Sequence, residues 1–264
     1  MAPHDPLALV GTALIAMTAL MVVLWVVQLH SRNASLADVG WCTGLVGVVT
    51  WYGTAASGDP GRRGLVMTMI AVYGLRLGSY ILLHRVIGKT EDPRYQHMRR
   101  WLGRREQLGV LSYFLLQAPA VVLFSLPPLA VMQNQRPTFS LWELTGVLVW
   151  LVAVVGEAVA DRQLAHFRAK SWNRNRVCRD GLWYYSRHPN YFFEWLQWWA
   201  YVLMALGTPG WLMAWIGPVV MGIALLKVTG IPLAERQALV TRAEDYQAYQ
   251  RTTNAFFPWF PKRQ

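Results

Sequence analysis

The chain predicts an all-α integral membrane protein: a seven-transmembrane helical bundle with its N-terminus outside and its C-terminus cytoplasmic. Three observations predict it. Of its 264 residues, 54% are hydrophobic and only 15% charged. Apolar runs close to the bilayer-spanning length of about 20 residues recur along it. Its basic residues gather in alternate connections between those runs. No separate soluble domain is expected, so 1–264 reads as a single membrane domain.

The first segment, 7–28, begins with almost no basic leader and runs past Val26, which suits a first transmembrane helix better than a cleaved signal peptide. Further segments are expected near 39–56, 65–87, 108–132, 141–161, 189–206 and 210–230. The clusters Ser57-Gly-Asp-Pro-Gly61, Gln133-Asn-Gln-Arg-Pro137 and Gly207-Thr-Pro-Gly210 are short turn-formers between them. From Leu233 onward the tail reads as a short amphipathic cytoplasmic helix carrying Glu244, Asp245, Tyr246 and Tyr249. The aromatic run Phe256-Phe-Pro-Trp-Phe260 follows and suits a membrane interface.

Alternating the connections places 29–38, 88–107, 162–188 and the tail on one side. That side carries Arg32, six basic residues from Lys89 to Arg105, the run from Arg162 to Arg187, and the tail's Arg236, Arg242, Arg251, Lys262 and Arg263. Arg62, Arg63 and Arg136 fall on the other. This bias sets the orientation, N-terminus outside and C-terminus cytoplasmic, with an odd number of crossings. The net charge of +11 then marks cytoplasmic loops and anionic ligands, not nucleic acid. Cys42 and Cys178 form no CxxC pair, and no HExxH or Cys/His cluster offers a metal site. No internal repeat supports an inverted-repeat transporter.

Ionisable residues in membrane helices point to function. Asp38 opens the second segment, where it either serves function or caps the helix. Tyr73 and Arg76 lie three residues apart on the third, Arg76 about two turns deep. Glu157 and Asp161 are an i, i+4 pair on the fifth, functional or simply solvated at the helix end. Arg85 and Lys227 are placed to snorkel to the headgroups.

The stretch Trp183-Tyr-Tyr-Ser-Arg-His-Pro-Asn-Tyr-Phe-Phe-Glu-Trp195 brings Arg187, His188, Asn190 and Glu194 to the mouth of an apolar segment. Pro189 sets the first helical turn, and Asn190 and Glu194 share one face. This reads as a cofactor clamp, against the alternative of an interfacial Arg/Trp/Tyr belt. The basic loop Arg168, Lys170, Arg174, Arg176 and Arg179 is either a lipid-binding patch or a dinucleotide phosphate clamp, since guanidinium grips phosphate bidentately. No GxGxxG or Walker lysine motif is present.

Tyr184-Tyr-Ser-Arg-His-Pro-Asn-Tyr191 with Glu194, then Gly230-Ile-Pro232, Glu235 and Glu244-Asp-Tyr246, resembles the steroid 5α-reductase superfamily. The match is to its bacterial DUF1295 branch of membrane reductases, of which Glu91-Asp-Pro-Arg-Tyr95 is typical, while Tyr73-x-x-Arg76 resembles the reductases' substrate-side tyrosine. The resemblance implies NADPH as cofactor, held on the cytoplasmic side by the C-terminal half, 141–264. Asp161, Arg168 and Arg176 would bind its adenosine and phosphate portions. Asn190 and Glu194 would lie near the nicotinamide, with Tyr185, Arg187, His188 and Glu235 around them. Helices 1–4, within 1–140, would take the substrate, with Asp38 and Tyr73 as catalytic residues at its carbonyl and Arg76 beside them. Asp38 stands where eukaryotic reductases have a glutamate, and Glu235 where they have a histidine. The implied reaction reduces the C=C bond of a lipophilic enone such as a 3-oxo-Δ4-steroid that enters from the bilayer, in a multi-pass monomer surrounded by the lipid of a bacterial inner membrane. Arg-His-Pro-x-Tyr with a downstream glutamate is also similar to isoprenylcysteine and phospholipid methyltransferases. An S-adenosylmethionine-dependent membrane methyltransferase is therefore the alternative.

Overall fold

The computed structural model describes residues 5–173 and 175–262, so Arg174 and Arg263, both counted among the basic residues above, lie outside the described residues. Among these, the regular structure is entirely helical. Five stretches are long and apolar enough to cross a membrane: Pro6–Ser31, Pro60–Val86, Pro93–Met132, Leu141–Ala169 and Trp211–Thr252. Two further expected spans are helices as well, Leu36–Ala55 of 20 residues and Pro189–Ala205 of 17. The first is diluted by glycines and Asp38, the second is short and rich in tryptophan. The helices gather into two compact units, Met1–Thr138 with Gly207–Ala214, and Phe139–Leu206 with Trp215–Gln264.

The first unit contains α1 (Pro6–Ser31), α2 (Leu36–Ala55), α3 (Pro60–Ile81), α4 (Pro93–Leu102) and α5 (Glu106–Met132). Three of these start on the same dipeptide. Asp5, Asp59 and Asp92 each accept a backbone N–H from the first turn, and the following proline occupies the first helical position. α2 packs on α1, α3 and α5, and α1 packs on α5. Gly74 lets α2 and α3 approach, because a Cβ there would sit 3.1 Å from the Cys42 carbonyl oxygen. Arg62, expected as a loop charge, is fully buried. It donates to the carbonyls of Asn134, Arg136 and Thr138 and so ties down the segment after α5. α4 was unforeseen: the stretch 88–107 reads as a basic connection, yet the Asp92 cap and Pro93 start a helix in it.

The second unit contains α6 (Leu141–Ala169), α7 (Leu182–Tyr185), α8 (Pro189–Ala205), α9 (Ile216–Ile223) and α10 (Ile231–Thr252). α6 opens with a capping box between Ser140 and Glu143 and lies along α8. The tail helix α10 is not short. It runs for 22 residues and breaks at Arg242, whose φ of −152° and ψ of 45° are non-helical. The aromatic run after it is divided: Phe256 is buried against Phe192 and Trp195, while Phe257, Trp259 and Phe260 are exposed.

Candidate functional site

In the first unit the chemistry gathers at Asp38. The N-cap of α2 is Ser35, so Asp38 lies inside the first turn and does not cap the helix. Its Oδ1 accepts instead from the hydroxyls of Tyr95 at 2.8 Å and Tyr113 at 3.2 Å, and the two phenol oxygens are 3.0 Å apart. Arg94 Nη2 lies 3.5 Å from its Oδ2. The Asp38 side chain is 19% exposed and Tyr95 3%.

The segment 91–95 builds this arrangement residue by residue. Glu91 accepts from the Ala34 backbone N–H at 2.8 Å and binds the Arg99 guanidinium at 2.8 Å, fixing the α1–α2 connection against α4. Asp92 caps α4 and holds the Arg94 guanidinium at 3.1 Å. Burial raises the Asp92 carboxyl, but hydrogen bonds from Arg94 and the charges of Arg94 and Arg85 outweigh it and leave Asp92 below the usual carboxylate range. Arg85, expected to snorkel, is 3.7 Å from Asp92. Pro93 sets the turn that aims Tyr95 at Asp38.

Tyr73 is buried on α3 with its ring edge-on to Trp41, centroids 6.5 Å apart, and Arg76 lies half-buried one turn on. Gly53 faces Met67, and Gly74 and Gly78 face Cys42, so α2 and α3 run antiparallel. That register puts Tyr73 about 10 Å along the axis from Asp38, at roughly 1.5 Å per residue. Side chains lean toward the N-terminus of their own helix, so Asp38 and Tyr73 lean apart. The structure gives Asp38 two other tyrosines.

In the second unit Glu235 is the hub. Its Oε1 accepts from Arg187 Nε at 2.7 Å and Tyr246 at 3.2 Å and faces His188 Nε2 at 3.4 Å, while Gln250 donates to Oε2 at 2.8 Å. Arg187 is held further by its own N–H to the Asn254 carbonyl, and Tyr185 accepts from the Trp259 N–H. The sequence on either side of Arg187 is thereby stitched to the tail. His188 is buried and stacked on Tyr191, rings 5.4 Å apart. Burial pushes its pKa down, against the pull of Glu235 and with the help of Arg187.

Asn190 Nδ2 donates to Asp161 Oδ1 at 3.2 Å, joining α8 to α6. Glu157, one turn before Asp161, is buried and not a solvated helix end. Glu194 is half-buried on α8, and Tyr185 is 37% exposed. Arg168 and Arg176 are exposed on the end of α6 and the loop beyond it. A cavity of about 230 Å³ is lined by Arg179, from the basic loop read as a phosphate clamp, with Tyr184, Tyr249, Thr252, Thr253, Pro261 and Lys262. Among the described residues no group of three or more His, Cys, Asp or Glu is arranged to hold a metal ion.

The model of a family described as protein of unknown function (DUF1295) matches residues 24–253. The chain belongs to that family. The DUF1295 match spans both the Asp38 cluster and the Glu235 cluster. No curated protein and no solved structure matches the chain.

Several residues of these two clusters escape a reading of this DUF1295 sequence. Tyr95 lies in the conspicuous Glu91–Tyr95 string, but nothing in the string says that its hydroxyl meets a carboxylate 57 positions earlier. Tyr113 carries no signal, being one tyrosine in an apolar run. Gln250 looks like a solvated residue of an amphipathic tail.

Proposed function

We propose that this chain is a multi-pass membrane reductase that uses NADPH to saturate the C=C bond of a lipophilic enone, of the 3-oxo-Δ4-steroid type. The observation that carries the reading is the Asp38 carboxylate, kept by two phenols and a guanidinium in a unit built of apolar helices. A carboxyl group is costly there and is retained for chemistry. Reduction of an enone drives negative charge onto its carbonyl oxygen, and donors held ready for that charge lower the barrier. Asp38 with its tyrosines supplies such donors. Tyr73, paired with Asp38 by resemblance to steroid 5α-reductases, and Arg76 belong to the same substrate-side unit.

The second unit fits a phosphate-bearing dinucleotide in the chemistry of its side chains. Arg168 and Arg176 present exposed guanidinium groups suited to phosphate. The Asp161–Asn190 pair offers a carboxylate and an amide for adenosine or nicotinamide. Arg187, His188 and Glu235 brace one another, so their part is to hold the shape of the 183–195 wall that carries Tyr185, Asn190 and Glu194. NADPH, when bound, would supply a hydride to the β-carbon and leave as NADP⁺, and a proton drawn from water would complete the reduction at the α-carbon. The proposal includes seven crossings, with α2 and α8 among them, the N-terminus outside, and the cofactor residues on the cytoplasmic side of a bacterial inner membrane.

The test is direct. Purified protein in detergent, given NADPH and testosterone or progesterone, is expected to oxidise NADPH and yield a product two mass units heavier, one reduced C=C bond. Tight S-adenosylmethionine binding with no NADPH oxidation would overturn the reductase in favour of a methyltransferase.

A further inference from the structure

We infer that Tyr113 is the group that hydrogen-bonds a ligand's carbonyl oxygen, and that Tyr95 is the positioning residue that holds Asp38 while it does so. The inference takes its ligand class, a lipophilic ketone or enone, from the reductase reading.

Each phenol has one hydrogen to donate, and both are aimed at the same oxygen, Asp38 Oδ1. One donor satisfies that oxygen adequately, so the second can change partner at small cost. Geometry decides which. Tyr95 makes the shorter bond, 2.8 Å, and is 3% exposed, with the Arg94 guanidinium 5.4 Å from its ring centre. It is fixed on every side. Tyr113 makes the longer bond, 3.2 Å, and is only half-buried on α5. A carbonyl oxygen that takes the Tyr113 proton leaves Asp38 still bonded to Tyr95 and still 3.5 Å from Arg94.

The same arrangement selects the ligand. The Arg94 guanidinium 3.5 Å away offsets the charge of Asp38, and the apolar run of α5 on which Tyr113 sits suits an uncharged lipophile whose polar atom accepts a hydrogen bond. A ketone oxygen meets both requirements.

The experiment uses the full chain in nanodiscs, with testosterone labelled at its carbonyl oxygen as probe. Two quantities are read, the infrared carbonyl stretch of the bound steroid and steady-state turnover with NADPH. In the wild type the bound stretch is expected to move to lower frequency than in solvent, as hydrogen bonding to the carbonyl requires. Tyr113→Phe should abolish that shift and lower kcat about 10²-fold or more, the usual cost of one lost donor. Tyr95→Phe should lower kcat with KM and NADPH affinity unchanged. Tyr73→Phe should keep the shift. A shift that survives Tyr113→Phe, or is lost only in Tyr73→Phe, overturns the inference. If the wild type shows the shifted stretch but oxidises no NADPH, the reductase reading falls while Tyr113 stands on the spectrum. If it binds no enone, both fall.

Discussion

Asp38 and Tyr95 stand 57 residues apart in sequence and share a 2.8 Å hydrogen bond. Tyr95 reaches Asp38 because Asp92 and Pro93 start α4 at the right place, and Glu91 holds the start of α2 against it through the Ala34 N–H. The Glu91–Tyr95 string is therefore a device for presenting one hydroxyl to one carboxylate. The contrast with Glu235 is instructive. That carboxylate has its hydrogen-bonding capacity taken up by Arg187, His188, Tyr246 and Gln250, which makes it a strut.

Glu235→Gln tests the strut. The substitution keeps the shape and removes the charge opposite Arg187, whose side chain is only 11% exposed. Hydrogen bonds to charged groups are worth about 1.5–3 kcal/mol, so a loss of about 2 kcal/mol is expected. It should appear as a lower thermal midpoint in detergent, with Glu235→Asp intermediate.

Arg176→Ala tests the phosphate assignment. An exposed guanidinium that grips the 2′-phosphate should weaken NADPH far more than NADH. Competition binding of the two cofactors to the purified variant reads the ratio. Equal weakening removes Arg176 from the cofactor site.

His188 makes stability depend on pH. Burial lowers its pKa in the folded protein, so below the ordinary imidazole range near 6.5 the unfolded chain binds the proton more readily. The stabilising contribution is full above that range and is lost as pH falls through it, by at most about 1.4 kcal/mol per pH unit for one proton. Thermal midpoints at about pH 7.5 and 5.5 should differ more for the wild type than for His188→Gln.

Gly146→Ala tests the approach of α6 to α8. An added Cβ would stand 2.7 Å from the Ala200 carbonyl oxygen and 2.5 Å from Met204 Cγ. Backbone must move, and overpacking of this kind costs about 1–3 kcal/mol. Gly47→Ala, inside α2 with open space around the added methyl, is the control and should hold or slightly raise the midpoint, since alanine favours a helix interior over glycine.

The amino-acid sequence by itself determined where the helices run and how several of them start. Apolar runs of bilayer length and Asp-Pro or Ser-x-x-Glu signals are local, and the local rules of capping and burial act on them without help from distant residues. It also singled out Asp38, Arg187, His188, Asn190 and Glu194 as polar groups that need partners in apolar surroundings. Which partners they take was decided only in three dimensions. Asp38 could cap a helix, meet Tyr73 or meet another tyrosine, and each choice is compatible with the sequence. The register of α2 on α3 and the start of α4 select Tyr95 and Tyr113. Glu235 takes Arg187, His188, Tyr246 and Gln250 as partners because α10 returns alongside Arg187. A hydrogen bond is specified by a few ångströms between groups tens of residues apart, and packing sets that distance.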